Sequence, residues 1–309
     1  MTDAIIFPGQ GAQFEGMGKA WAEHSPAAAG VFKDADSILG FSLTEACWSS
    51  GEQIHRTDLA QPAIFTSSVA CLAGLKEAGA DYSTVQAVAG LSLGEYTALW
   101  WSGVLSFEDG LRLVRLRGQA MQEASESSKS GMMSLVGASL EQAMAVAQAG
   151  AAHGICSVAN RNAPGQIVIS GELAALDQAE EAAKEQGIRR AIRLSVAGGF
   201  HSECMRPAAD QLAAALADVK LMDPSVPVVS NVTAKPVSGG DEVRKLLERQ
   251  VCSPVLWEES VRWMIEAGNK AYLEPAPGKV LTGIMRKIDR DMICESADAP
   301  IVDEGAHTS

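Results

Sequence analysis

Ser92 lies between Gly90 and Gly94 in the stretch AVAGLSLGEYTALWW, residues 87–101. A serine hydroxyl is a poor nucleophile until a base takes its proton. Two things make this one a candidate. The short apolar run Ala87–Leu91 predicts a buried strand, and Glu95–Trp101 predicts a buried helix. A strand that turns at once into a helix makes a cramped corner, and glycines two residues to either side remove the side chains that would collide there. The residue at the corner projects outward, as in the nucleophile elbow G-x-S-x-G. The same pattern also fits an ordinary turn, so the assignment depends on partners elsewhere in the chain.

Histidine is the usual base, because its pKa lies near neutrality. The chain has five: His24, His55, His153, His201 and His307. The first two flank helices, His153 falls in a loop and His307 in the tail. His201 stands in SVAGGFHSECM, where Gly198 and Gly199 predict an unusual backbone path and where a loop would cross the mouth of a cleft. No Asp or Glu is singled out to orient it, and a backbone carbonyl would serve. A tetrahedral oxyanion needs two donors. The N–H of Leu93, just after the serine, is one candidate. The N–H of Gln10, in the glycine-flanked loop FPGQGAQ, is the other, although such loops also bind phosphates.

The helix expected over 107–124, FEDGLRLVRLRGQAMQEA, opens with Ser106 and Asp109 as a capping box. Arg112, Arg115, Gln119 and Gln122 share its polar face. Arg117 does not. Its i±3 and i±4 neighbours are Leu113, Val114, Ala120 and Met121, so its guanidinium points to the core and must find an anion. That anion is either a carboxylate of the protein or one carried by a substrate and gripped bidentately.

Strand, glycine-rich loop and helix alternate from residue 3 onward: a strand at 3–7, a helical stretch over 16–39, a long apolar helix ending at Gly79, then the elbow. This predicts an α/β protein with a parallel sheet. Between 127 and 198 the order becomes β-α-β-β-α-β, with strands at 131–138, 154–160, 166–171 and 189–196, which is the ferredoxin-like pattern. The expected organisation is a large catalytic subdomain of residues 1–126 and 199–309, with a small subdomain, 127–198, inserted. Helices at 203–219, 241–250, 258–268 and 279–288 alternate with strands at 226–231 and 270–275. The tail from Glu295 is polar and acidic and is expected to fray.

With 25 basic and 38 acidic residues the net charge is −13. That argues against a general nucleic-acid binder, which needs a basic footprint. The six cysteines contain no C-x-x-C pair, which argues against a zinc ribbon or redox couple. No secretory leader and no membrane-length apolar run is visible, so a cytoplasmic protein is expected.

FPGQGAQ, GLSLGEYTAL, the RLRG helix, NAPGQIVISG, FHS and EPAPGKVLTG occur in an order that resembles malonyl-CoA:acyl-carrier-protein transacylases, over roughly residues 4 to 290. The resemblance implies an α/β-hydrolase-like core with a ferredoxin-like insert. It also implies roles: Ser92 as nucleophile, His201 as base, Gln10 and Leu93 as oxyanion donors and Arg117 as the ligand of the malonyl carboxylate. Gln250, in RQVCSPV, would orient the histidine through its backbone carbonyl. Phe200 resembles the malonyl-preferring form of its motif. Leu91, where most members have histidine, and Ala276, where glycine is usual, depart from the pattern and bear on substrate preference. The activity implied is ping-pong malonyl transfer from malonyl-CoA to the phosphopantetheine thiol of acyl carrier protein, in type II fatty acid synthesis. No cofactor, metal, nucleic acid or membrane is needed, and a monomer is expected. Three alternatives remain: an acyltransferase serving a polyketide pathway, a thioesterase or esterase with the same elbow, and an inactive carrier-binding module.

Overall fold

Residues 1–301 are described by the computed structural model, and they form nine strands, twelve α-helices and two short 3₁₀ helices. The first strand, β1 (Ala4–Phe7), is buried along its whole length, as a central parallel strand must be. Helices α1 (Lys19–His24) and α2 (Pro26–Leu39) follow where one helical stretch was expected. The break falls at Ser25, because a residue before proline is pushed out of the helical region. Ser25 is extended, and its side chain accepts a bond from the Ala28 N–H at 3.0 Å, which starts the second helix. Helix α3 (Leu43–Ser49) forms where the sequence pattern predicts no element. Helix α4 (Thr57–Glu77) runs through Pro62 and is buried almost throughout. Strand β2 (Ala87–Gly90), helix α5 (Gly94–Trp101) and helix α6 (Phe107–Ser127) come next.

The middle of the chain forms β3 (Ser130–Val136), α7 (Leu140–Ala151), β4 (Cys156–Ala163), β5 (Gln166–Glu172), α8 (Leu173–Glu185) and β6 (Arg190–Arg193). Ser139 caps α7 with a full capping box. Strand β4 runs through Ala163, three residues past its expected end, and takes up the irregularity in two register shifts against β5. The order β4-β5-β3-β6, with every pair antiparallel, is that of a split β-α-β unit. Met133, Leu135, Val146, Ile169 and Leu176 close a separate apolar cluster between this sheet and α7 and α8.

The chain then returns to the first layer through α9 (Arg206–Ala217), β7 (Val228–Val229), α10 (Gly240–Gln250), α11 (Trp257–Glu266), β8 (Ala271–Pro275), α12 (Val280–Ile288) and β9 (Ile293–Ala297). The five-stranded sheet has the order β7-β2-β1-β8-β9, and all its pairs are parallel. Strand β9 corrects the expectation of a frayed tail from Glu295. Its ladder with β8 satisfies the backbone, and Ala297 O accepts from Trp21 Nε1 at 3.0 Å and Cys71 Sγ at 3.2 Å. His307 lies outside the described residues. Among the described residues, no helix is long and apolar enough to cross a membrane.

Candidate active site

β1 and β2 are neighbours in the parallel sheet, and the loops leaving their carboxyl ends meet. That is where open α/β sheets carry their sites. The meeting is close enough to require glycine. A Cβ on Gly9 would stand 2.2 Å from Leu91 O, and one on Gly94 would stand 2.2 Å from Phe7 O. A Cβ on Gly90 would stand 1.9 Å from the carbonyl carbon of Gly94. These three glycines give space for close approach. The positive φ of the corner is carried by Ser92 itself, at 53°. For a residue with a side chain this is a strained backbone, held only where its surroundings over-determine it. Here Asn231 Oδ1 accepts from Ser92 N at 2.6 Å, and Gln250 Nε2 donates to Ser92 O at 3.0 Å.

His201 Nε2 lies 2.8 Å from Ser92 Oγ, and His201 Nδ1 lies 2.9 Å from Gln250 O. The carbonyl accepts the Nδ1 proton, which leaves the Nε2 lone pair facing the serine hydroxyl. The histidine is buried, and burial together with the Arg117 charge pushes its pKa down to about 4. It is therefore neutral, and able to accept a proton, at ordinary pH. The expectation for Gly198 and Gly199 needs correcting. Neither falls in the left-handed region, whereas His201 does, at φ 58°. Gly198 is there for contact: a Cβ would sit 2.3 Å from Ser125 Oγ.

Arg117 is 1% exposed. It donates to Gln61 Oε1 at 2.8 Å, to Ser92 Oγ at 3.0 Å and to Gln250 Oε1 at 3.1 Å. Its guanidinium carbon stands 5.5 Å from the centre of the Tyr96 ring. Every one of these partners is neutral, and Nε has no partner among the described residues. The polar face of α6 behaves as expected, with Arg112 paired to Glu108 and Arg115 to Asp58. A direct structural ion pair, one of the two readings of Arg117 open at the sequence level, is not formed.

The site opens into a cavity of about 680 Å³ between the two sheets. Ser92, His201, Gln10 and Leu91 line its inner wall, Phe200 lies beside the histidine, and Met132, Asn160 and Val168 come from the small sheet. The N–H groups of Gln10 and Leu93 have no acceptor among the described residues, although the Gln10 side chain is tied to Thr57 Oγ1 at 3.2 Å. The arrangement brings together all six residues singled out in the sequence: Gln10, Ser92, Leu93, Arg117, His201 and Gln250. His55 also lines the cavity but bonds Gln13 at 3.3 Å, away from the serine.

Four contributions were not read from the sequence. They are Asn231, Gln61, the Gln250 side chain and Glu95, a fully buried carboxyl that accepts from Gln250 Nε2 at 2.6 Å. Two carried a usable signal. Glu95 is a charge within the apolar helix GEYTALWW, and Asn231 follows a strand at the end of a parallel sheet.

Comparison with known proteins accounts for this geometry. A model of the acyl transferase domain matches residues 4–300. The chain is 42% identical over 289 residues to the malonyl CoA-acyl carrier protein transacylase of Bacillus subtilis (strain 168), covering 93% of this chain and 90% of that one. It is 38% identical to the Escherichia coli (strain K12) protein of the same name, over 96% of each chain. Among solved structures, the Bartonella henselae acyl-carrier-protein-S-malonyltransferase superposes with a TM-score of 0.93 at 38% identity, over 97% of this chain and 96% of that one. A malonyl-transacylase solved in complex with a type II PKS acyl-carrier protein superposes with a TM-score of 0.92 at 36% identity, over 97% of both chains. On the evidence of its parallel sheet with a four-stranded insert, its serine–histidine elbow and these relatives, the chain belongs to the malonyl CoA-acyl carrier protein transacylases of the acyl transferase family.

Proposed function

We propose that this chain transfers the malonyl group from malonyl-CoA to the phosphopantetheine thiol of acyl carrier protein, in fatty acid synthesis, through a malonyl ester on Ser92. Ser92 Oγ attacks the thioester carbonyl while its proton passes to His201 Nε2, 2.8 Å away. The N–H groups of Gln10 and Leu93 receive the oxyanion. Collapse of the intermediate breaks the C–S bond, and coenzyme A leaves with the proton from His201. The carrier thiol then attacks the ester, His201 takes the thiol proton, and Ser92 recovers it as the C–O bond breaks. Gln250 O holds the imidazole through both halves, which removes the need for a triad carboxylate.

The observation that carries this reading is Arg117. It is a buried cation beside the nucleophile, with only neutral partners and an unused donor. A carboxylate carried on the acyl group completes it. A thioesterase would not need that cation, and it would send the ester to water. The partition of malonyl-Ser92 between holo-carrier and free malonate tests the point. Transfer to the carrier should dominate by about 10-fold or more, as befits a site that discriminates between acceptors. Hydrolysis that outruns transfer would reverse the assignment.

Two basic clusters in an acidic chain support a docking surface for the carrier. Lys287 Nζ donates to Gln166 Oε1 at 2.9 Å across the seam between the layers. Gln166 and Arg190 both pair with Val136 of β3, so exposed Arg189, Arg190, Arg286 and Lys287 converge on one end of the small sheet, with Lys279 on α12's N-terminal side. Met132 lies on the cavity wall four residues along β3, roughly 13 Å away at strand spacing. Charge reversal at Arg190 and Lys287 should raise KM for the carrier about 10-fold while malonylation by malonyl-CoA is unchanged. Unaltered carrier kinetics would rule out this surface. The solved complex with a type II PKS carrier makes a polyketide carrier the second acceptor to compare in the same assay.

A further inference from the structure

Glu95 is a buried ionisable group beside the nucleophile that the mechanism above leaves unused. It is 2% exposed, in the first turn of α5, three residues after the nucleophile. A helix N-terminus suits a carboxylate, but the reason for this one lies in what its oxygen collects. Glu95 Oε2 accepts from Gln250 Nε2 at 2.6 Å and from Asn231 N at 3.3 Å. Those two residues are the ones that clamp the strained Ser92 peptide. Gln250 Nε2 also donates to Ser92 O at 3.0 Å, and Asn231 Oδ1 accepts from Ser92 N at 2.6 Å. Asn231 Nδ2 ties the same clamp back to Gly90 O at 2.7 Å.

The Gln250 amide does a second thing. Its oxygen accepts from Arg117 at 3.1 Å while its nitrogen donates to Glu95. The two buried charges of the site are thus joined through one neutral amide and do not touch. A flipped amide would set NH₂ against the guanidinium and its oxygen against the carboxylate and Ser92 O, so the two charges together fix one orientation. A direct Arg117–Glu95 pair would satisfy the charge but would fill the fork a substrate carboxylate needs.

We infer that Glu95 is a positioning and specificity-determining residue. Through Gln250 and Asn231 it holds the Ser92 elbow, and as the distant counter-ion of Arg117 it leaves that guanidinium open to the malonyl carboxylate. This rests on the reading of Ser92 as the acylated residue and Arg117 as the malonyl ligand. The consequence is a competition: an ionised Glu95 and a bound malonyl carboxylate share one cation, so each disfavours the other. Burial pushes the Glu95 pKa up to about 7. The charged and titratable groups facing it are Arg117 from α6 and Tyr96 from its own helix. Gln250 of α10 and Ser230 and Asn231 after β7 are neutral donors. Tyr96 is pushed further up and His201 down to about 4, so Glu95 is the member of this group that changes charge near neutrality.

The test is single-turnover acylation of the full chain by malonyl-CoA and by acetyl-CoA, followed through pH about 7. The ratio of the two kcat/KM values cancels effects common to both thioesters. In the wild type the malonyl-to-acetyl ratio should fall about 5-fold or more as pH rises and Glu95 ionises, a coupling of ordinary size. Glu95→Gln keeps an acceptor for Gln250 but cannot ionise. It should make the ratio flat with pH while retaining most of kcat. Glu95→Ala removes the acceptor as well, and should lower kcat with both thioesters by about 10-fold or more. A ratio in Glu95→Gln that still titrates as in the wild type, or a wild-type ratio flat with pH, would overturn the inference while leaving malonyl transfer standing. Failure of malonyl-CoA to acylate Ser92 in the wild type would instead remove the functional reading, and this inference with it. If Glu95→Ala does not fold, the Glu95→Gln pH profile decides alone.

Discussion

Ser92→Ala is expected to give a folded protein that acquires no acyl group from malonyl-CoA, with turnover reduced by about 10⁴-fold or more. Ser92 Oγ lies 2.8 Å from His201 Nε2, and the covalent half-reaction cannot begin without it. The fold should tolerate the change, because the groups that hold the corner bind the Ser92 backbone. Asn231 Oδ1 takes its N–H, Gln250 Nε2 reaches its carbonyl, and the glycine contacts around it do not involve the hydroxyl. Alanine has to adopt the positive φ of 53° that serine already bears, so the strain of about 1 kcal/mol is common to both and the melting temperature should change little. Intact mass after incubation with malonyl-CoA checks the outcome. A malonyl adduct on the variant would show that the nucleophile lies elsewhere.

Arg117→Ala should lower kcat/KM for malonyl-CoA by about 100-fold or more while leaving acetyl-CoA unharmed or improved. A charge-assisted bidentate contact stabilises by about 1.5–3 kcal/mol. In this cavity the effect is enlarged, because Arg117 is buried with only Gln61, Gln250, Ser92 and the Tyr96 ring for company. Acetyl-CoA has no carboxylate to offer. The wild-type site therefore disfavours it by leaving a buried cation without a direct anionic partner, and removing the cation removes that penalty. Substitution also takes a donor from Gln61 and Gln250 and a balancing charge from Glu95, so some loss of stability is expected alongside. The discriminating quantity is the ratio between the two thioesters, measured beside a melting curve. Equal losses with both, accompanied by a large drop in melting temperature, would make Arg117 a structural cation and remove its role toward the substrate.

How much of this is legible in the sequence depends on whether the determinant is local. The elbow was legible because its glycines and serine sit within five residues and their reason is steric. Arg117 was legible because helical periodicity places its neighbours, and those are apolar. The insert was legible because β-α-β-β-α-β leaves few ways to pair. The break at Ser25 follows from the proline after it, a local signal that the continuous apolar pattern of 16–39 overrode. Strand β9 was missed because its sequence, ICESA, is short and polar, and its existence depends on an open edge of β8 that no local pattern reveals. Glu95, Asn231 and Gln61 were missed for the same kind of reason. Each acts through a side chain from a different element, at separations of 136 residues for Glu95 with Asn231 and 56 for Gln61 with Arg117. Spacing along the chain does not reveal such contacts, although the charge within the apolar GEYTALWW marks Glu95 itself as unusual. The Gln250 carbonyl came from family resemblance alone, and its side-chain role in joining Arg117 to Glu95 came from neither.

The central claim is that malonyl travels through an ester on Ser92. Its most direct test is the intact mass of the wild-type protein, taken after mixing with malonyl-CoA and again after adding holo-acyl carrier protein. The account predicts a gain of one malonyl group, located by fragmentation on the peptide containing Ser92, and its complete transfer to the carrier in the second step. A protein that turns over malonyl-CoA yet never carries the group, or carries it on a residue other than Ser92, would contradict it.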